Sequence, residues 1–309
     1  MGHLHWFGSH RLFDYDPEEE LVRVEGAFGG DGLFLIASSG DGRRPAGVLG
    51  IAPDGCVGRI RPWEPGVPPE LAEAGVGELL LEAGSELAED SGLEALSLRF
   101  RYPVDLPGSA AWLEGVCRGA GFSQVGPLGL MMVADLKNEP RGLDLPGVEV
   151  TGREGLGVDG LVDLTLRAFT EDPDDRGYFS WDPVVTTREG TEDFFGPLIR
   201  GEKGASPPEL SRVAWVGGEP AGLVGSYVPE PGRGPLHGVV GPVGVLPEHR
   251  RKGIGRALLL DLLGILRRRG CSHAYLNTHV DNSPAVALYR SVGFEPAYHF
   301  LNLERDLGR

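Results

Sequence analysis

The run Arg250-Arg251-Lys252-Gly253-Ile254-Gly255 holds the residue types of an anion site. An apolar helical pattern from Ile254 to Arg268 follows it, and a strand pattern precedes it. Gly253 and Gly255 would let the backbone come close to an anion. The first amides of the helix carry the positive end of its dipole, and Arg250, Arg251, Lys252 and Arg256 add formal charge. A diphosphate matches this cradle in size and charge. Two rival motifs fail: GxxxxGK[ST] is absent, and Leu258 stands where GxGxxG needs its last glycine. A helix start with a solvated basic face is the plain alternative.

The elements that must position this loop are legible from periodicity. In the second half, Val148–Val150 is a strand, Gly160–Phe169 an amphipathic helix, and Thr170 to Phe195 a loop rich in acids and aromatics. Val213–Val216 and Ala221–Val228 form a hairpin about Gly217-Gly218. Val239–Val245 is a strand interrupted by Pro242, which a central strand accepts only at a bulge. Ala274–Thr278, a helix over Ser283–Val292 with Ser283 as N-cap, and strand His299–Leu303 complete it. In the first half, strands Leu33–Ala37, Gly47–Ile51 and Val57–Ile60 precede a helix over Gly77–Glu89. That helix turns Leu80, Ala83 and Leu87 inward and Glu78, Glu82 and Glu86 outward. Strand Leu96–Phe100, helix Ser109–Arg118 and strand Leu130–Ala134 follow.

The two halves are one plan written twice. Val67-Pro-Pro-Glu-Leu-Ala-Glu-Ala-Gly-Val-Gly77 parallels Val245-Leu-Pro-Glu-His-Arg-Arg-Lys-Gly-Ile-Gly255, 178 positions on, and Gly92 parallels Gly270 at the same spacing. Charge is inverted between the copies: residues 250–269 hold seven bases and one acid, whereas 72–91 hold six acids and no base. The expected domains are 1–138 and 148–309, joined by a Gly/Pro-rich linker at 139–147, each about 150 residues and able to form its own core. The fold class is α/β, with two tandem domains, each a mixed, mostly antiparallel sheet flanked by helices. A net charge of −16 argues against nucleic acid as partner. No apolar run approaches the ~20 residues of a membrane span. Cys56, Cys117 and Cys271 are scattered, which suits a reducing cytoplasm and neither a disulfide frame nor a metal site.

The loop has a companion. Asn282-Ser-Pro-Ala-Val-Ala-Leu-Tyr-Arg-Ser-Val-Gly-Phe294 fits NxxAxxLYxxxGF at every fixed position, and Arg250-x-x-Gly253-x-Gly255 fits RxxGxG. Together they resemble the two signatures of the GNAT acetyltransferase superfamily, and the element order over Val148–Leu307 agrees. The resemblance implies an acetyltransferase using acetyl-CoA as co-substrate, with no metal, acting on a primary amine of a small molecule by direct attack. Val243, Gly244 and Val245 would then offer main-chain groups to the pantetheine arm, and residues 250–256 would hold the pyrophosphate. A bulge near Pro242 would splay this strand from Ala274–Thr278 and admit the thioester. Asn282 would anchor the cofactor, or act as a cap. Tyr289 would be general acid, since a phenol with a pKa near ~10 keeps its proton at neutral pH. Its place beside Ala285, Leu288 and Val292 makes its ring part of the core in either case. His237, His279 and Asp281 are candidate bases near the strand ends, Tyr227 lies further off, and a water chain is an equal alternative.

The first copy loses each of these features. Ala72 and Glu73 stand at the places of Arg250 and Arg251, Cys117 faces Tyr289 in alignment, and Ala110 faces Asn282. Its implied role is structural. The tandem arrangement resembles the mycothiol synthase family, although Val239 stands where that family has a glutamate. Glu171, Asp172, Asp174 and Asp175, with Tyr178, Phe179, Trp181, Phe194 and Phe195, suit a cationic amine acceptor, or else a solvated acidic loop over packed rings. A non-catalytic acyl-CoA sensor and a protein or peptide N-acetyltransferase are the rival functions. Nothing in the sequence sets an oligomeric state.

Overall fold

A computed structural model describes residues 32–38, 45–60, 75–137, 142–172, 179–180, 182–229 and 235–308. The chain forms two compact units that do not follow the sequence in order. One takes Met1–Leu130 with Ala297–Arg309, and the other takes Met131–Pro296.

In the first unit, β1 (Leu33–Ser38), β2 (Pro45–Asp54) and β3 (Val57–Ile60) form an antiparallel meander. β4 (Ala95–Pro103) joins β3 in parallel over three residue pairs. The next strand comes from the other end of the chain. β12 (Phe294–Asp306) runs antiparallel to β4 from Tyr298↔Pro103 to Asp306↔Ala95, and β5 (Ser123–Gln124) pairs its far end. The crossover helix α1 (Val76–Asp90) faces its glutamates to solvent, as their spacing predicts. Its buried stripe is Gly77, Leu80, Leu81, Gly84, Ser85 and Ala88, so the expected stripe is turned. Ala83 and Leu87 lie at its margin, because close approach of Gly84 to Leu49 and of Gly77 to Trp112 and Val116 turns that side of the helix inward. Helix α2 (Ala111–Gly119) buries Leu113, Val116 and Cys117. Leu301, Leu303 and Leu307 from the C-terminal end complete this core.

In the second unit the strand order is β6-β11-β10-β9-β8-β7. Here β6 is Gly129–Asp135, whose first two residues lie in the first unit, and β7 is Val148–Gly152. β8 (Arg212–Val216) and β9 (Glu219–Tyr227) make the expected hairpin. Gly217 and Gly218 both take positive φ, as a tight two-residue turn requires. β10 (His237–Val245) is antiparallel to β9, and β11 (His273–His279) is parallel to β10. Helix α3 (Val158–Thr170) packs on one side with Leu161, Leu164 and Ala168.

Two expectations are corrected. The segment from Thr170 to Phe195 is not all loop: Pro183–Thr186 (α4) and Arg188–Ile199 (α5) are helical. Asp182 caps the first through its bond from Val184 N, and Thr187 caps the second through its bond from Gly190 N. Gly190 and Pro197 inside α5 hide it from periodicity. Helix α7 (Ser283–Ser291) is capped by Asn282, not by Ser283, which is its first residue.

Helix α6 (Ile254–Arg268) has the bounds its pattern predicts and buries ten residues. Its polar exception, Asp261, accepts from Arg212 Nε of β8 at 2.5 Å, and Arg212 also donates to Val150 O at 3.2 Å. The Arg212 side chain is only 10% exposed. Removing its partner strands a nearly buried cation, so Asp261→Ala is expected to lower unfolding free energy by about 2 kcal/mol in urea titration.

Equivalent glycines of the two copies share one conformation. Gly75 and Gly253, Gly92 and Gly270, and Gly121 and Gly293 all have φ between 73° and 97°. Among the described residues, no helix is long and apolar enough to cross a membrane.

Candidate active site

The site begins where two parallel strands part. β10 and β11 are paired from His237↔His273 to Val240↔Leu276, and the ladder stops there. On the other side, β10 is paired with β9 at Val240↔Ser226 and resumes at Val243↔Val224, so Gly241-Pro242 holds one extra residue. This is the bulge that Pro242 predicts. Beyond it, Val243, Gly244 and Val245 stay paired with Val224, Leu223 and Gly222, and their other edge is no longer paired to β11. An unpaired strand edge offers backbone donors and acceptors to an extended ligand. The bulge also needs glycine for room: a β-carbon on Gly241 would stand 2.4 Å from Phe194 Cζ.

The loop after β10 turns sharply. Arg251 has φ 62° and is the one non-glycine residue with positive φ among the described residues. Gly253 follows with φ 86° as N-cap of α6, with no side chain capping the helix. The first intrahelical bond runs from Ala257 N to Gly253 O at 3.0 Å. The preceding amides of α6 therefore have no intrahelical acceptor. Arg251, Lys252 and Arg256 are exposed around them, and Lys252 Nζ donates to Glu248 O at 2.7 Å. Ile254 points into the core at 2% exposure. Gly255 is set by packing: a β-carbon there would meet Leu288 Cδ2 at 3.1 Å. Arg250 is turned away from the loop's outer surface. Its guanidinium donates to Val245 O at 3.1 Å and to Ala168 O at 2.7 Å, and it pairs with Asp172 at 3.4 Å.

The Leu288–Gly255 contact sets the middle of α7 against the cradle, and Tyr289 is the next residue. Tyr289 is 8% exposed, with its ring edge-on to Phe294 at 6.1 Å between centroids. Burial alone pushes its phenol up to about 12. Asn282 accepts from Ala285 N at 3.2 Å, which fixes the start of the helix that carries Tyr289.

Of the three candidate bases, His279 and Asp281 lie at the parted end. His279 is 3% exposed at the end of β11, and its ring lies 6.2 Å from that of Phe179. Phe179 in turn meets Phe169 edge-on at 5.1 Å. Burial pulls the imidazole pKa below its ordinary value, against an opposing pull from Asp281, which is exposed in the turn. His237 stands at the closed end, against Tyr275 at 5.5 Å, and Tyr227 faces Val239 before the bulge. Val243 is six residues from His237, about 20 Å along a strand. His237 thus does not join the cluster.

The acceptor segment is partly described. Ala72, Glu73, Asp174, Asp175, Tyr178 and Trp181 lie outside the described residues. Phe195 is fully buried in the core, and Phe194 holds Lys203 Nζ over its ring at 5.0 Å. Phe169 and Phe179 are left as the aromatic wall beside His279. Periodicity could not reveal that Leu145 and Leu143 of the linker flank Gly253. The turn Leu145-Pro146-Gly147-Val148, closed by a bond from Val148 N to Leu145 O, aims the chain there.

This geometry can be set beside known proteins. The family model described as "Acetyltransferase (GNAT) family" matches residues 169–294, the span from the aromatic wall to Phe294. A mycothiol acetyltransferase of Geodermatophilus obscurus is 31% identical over 298 residues, 89% of each chain. The chain belongs to the GNAT acetyltransferase family. It is an N-acetyltransferase by that membership. A mycothiol acetyltransferase of Acidothermus cellulolyticus is 32% identical over 234 residues, covering 74% of this chain and 66% of that one. In fold, the chain is similar to a GCN5-related N-acetyltransferase from Sphaerobacter thermophilus, with a TM-score of 0.69 at 19% identity. That match covers 96% of this chain and 87% of the other.

Proposed function

We propose that the second unit transfers an acetyl group from acetyl-CoA to the primary amine of a small molecule. The observation that carries this is the parting of β10 from β11 after Val240, beside an uncapped helix start ringed by Arg251, Lys252 and Arg256. The open edge at Val243–Val245 suits the pantetheine amides, and the start of α6 suits the diphosphate. When bound, the co-substrate supplies an activated acyl group as a thioester.

The residues then divide the work. His279, neutral at pH 7 because burial lowers its pKa, takes a proton from the bound ammonium and so frees the amine lone pair that attacks the thioester carbonyl. A backbone amide at the bulge beside Pro242 receives the developing oxyanion, and the break in pairing there supports this role. Tyr289 donates to the departing sulfur; its raised pKa keeps the proton on oxygen throughout the physiological range. Phe169 and Phe179 exclude water from the acyl group. The first unit, with Cys117 where the second has Tyr289, is a structural partner.

The first acceptor to test is cysteinyl glucosaminyl-inositol, by extension from the mycothiol acetyltransferase relatives. Val239 pairs with Tyr275 and Tyr227 where their family carries a glutamate, which transfers the base role to His279. In a thiol-release assay with acetyl-CoA, CoA is expected with this amine and not with lysine peptides. Tight acetyl-CoA binding with no release for any amine in a panel would favour a sensor and defeat the transferase reading.

A further inference from the structure

We propose that Arg250 is a positioning residue that fastens the acceptor wall to the cofactor strand, while the charge offered to the diphosphate comes from Arg251, Lys252 and Arg256. The inference rests on the acetyl-CoA reading above for what the strand binds. One guanidinium holds three separate pieces of chain: Val245 O on β10, Ala168 O in the last turn of α3, and Asp172 just beyond that helix. Arg250 places its charge on a carbonyl of the last turn of α3, where a cation is favoured, and a planar fork can serve several acceptors at once. A second link runs the opposite way, from Arg167 of α3 to Glu248 of the loop at 3.9 Å.

What is fastened matters for the reaction. Phe169 follows Ala168 directly, and its ring meets Phe179, which meets His279. The contacts therefore run from the strand that receives the thioester, through Arg250, to the wall and base that receive the amine. An arginine committed to three protein acceptors, with its side chain 30% exposed, is poorly placed to reach an outer phosphate. Arg251, Lys252 and Arg256 stand exposed at that surface.

The test compares acetyl-CoA with acetyl-pantetheine, which lacks the diphosphate, by titration calorimetry and competition on the full chain. Arg250→Met is expected to weaken both ligands by a similar factor, whereas Arg251→Met weakens acetyl-CoA at least ten-fold more than acetyl-pantetheine. In the free protein, amides of residues 168–172 are expected to exchange with solvent at least ten-fold faster in Arg250→Met. Asp172→Asn should speed them several-fold, and Asp172→Glu should restore wild-type protection. A selective loss of acetyl-CoA in Arg250→Met, or unchanged exchange at 168–172, overturns the proposal. Wild type that binds no acetyl-CoA defeats the transferase reading instead, and the exchange measurement still judges the clamp.

Discussion

Tyr289→Phe is expected to lower kcat by about 10²–10⁴-fold and to leave the dissociation constant of acetyl-CoA within about two-fold. The substitution removes one oxygen from a ring already packed against Phe294, so the core loses no shape. The effect should fall toward the lower end of that range. A phenol near 12 is a weaker acid than a thiol, whose pKa is about 8.5, so its hydrogen bond to the thiolate matters more than complete proton transfer. The same value predicts that no alkaline limb below pH 10 in the rate profile comes from Tyr289. It has a stability consequence as well. The folded-state pKa is higher than the unfolded one, so the contribution of the neutral phenol is full below pH 10. It is lost as pH rises toward 12, by about 3 kcal/mol. Denaturant titrations at pH 9 and 11 should show about half of that loss in wild type beyond any seen in Tyr289→Phe.

The second large effect is expected at His279. His279→Gln should lower kcat/KM by about 10²-fold or more and abolish the acidic limb of its pH profile. In wild type that limb should lie below pH 6.5, because burial disfavours the imidazolium more strongly than Asp281 favours it. Asp281→Asn removes the opposing pull and should move the limb to still lower pH. A wild-type limb at or above pH 7, or one that survives in His279→Gln, would assign the base to another group. The depressed pKa also makes stability fall as pH drops from the unfolded value near 6.5 through the folded one. Rates below pH 6 therefore need a parallel check of folding.

Local sequence chemistry made much of this molecule legible. The bounds of α6 agree with its apolar pattern, and Gly253 takes a left-handed conformation at its start. The bulge was legible because Pro242 has no amide to give a ladder. The misses are tertiary. α5 depends on caps at Thr187 and on burial of Phe195 and Leu198, which outweigh Gly190 and Pro197. β12 was expected only over His299–Leu303; it extends to Asp306 because β4 and β5 of the other half supply partners. The direction of the Arg250 side chain could not be foreseen, since Ala168 and Asp172 lie about eighty positions earlier in the chain.

The exchange of terminal strands sets the order in which a ribosome can finish this protein. β4 leaves the exit tunnel well before its partner over residues 298–306 is made. At about 5–20 residues per second, the first unit waits roughly 10–40 seconds with that edge open and without Leu301, Leu303 and Leu307 in its core. The unit that comes second in the chain takes residues 131–135, translated before the rest of it, as its border strand beside β11. Removing residues 1–135 would therefore take a border strand from the second unit as well.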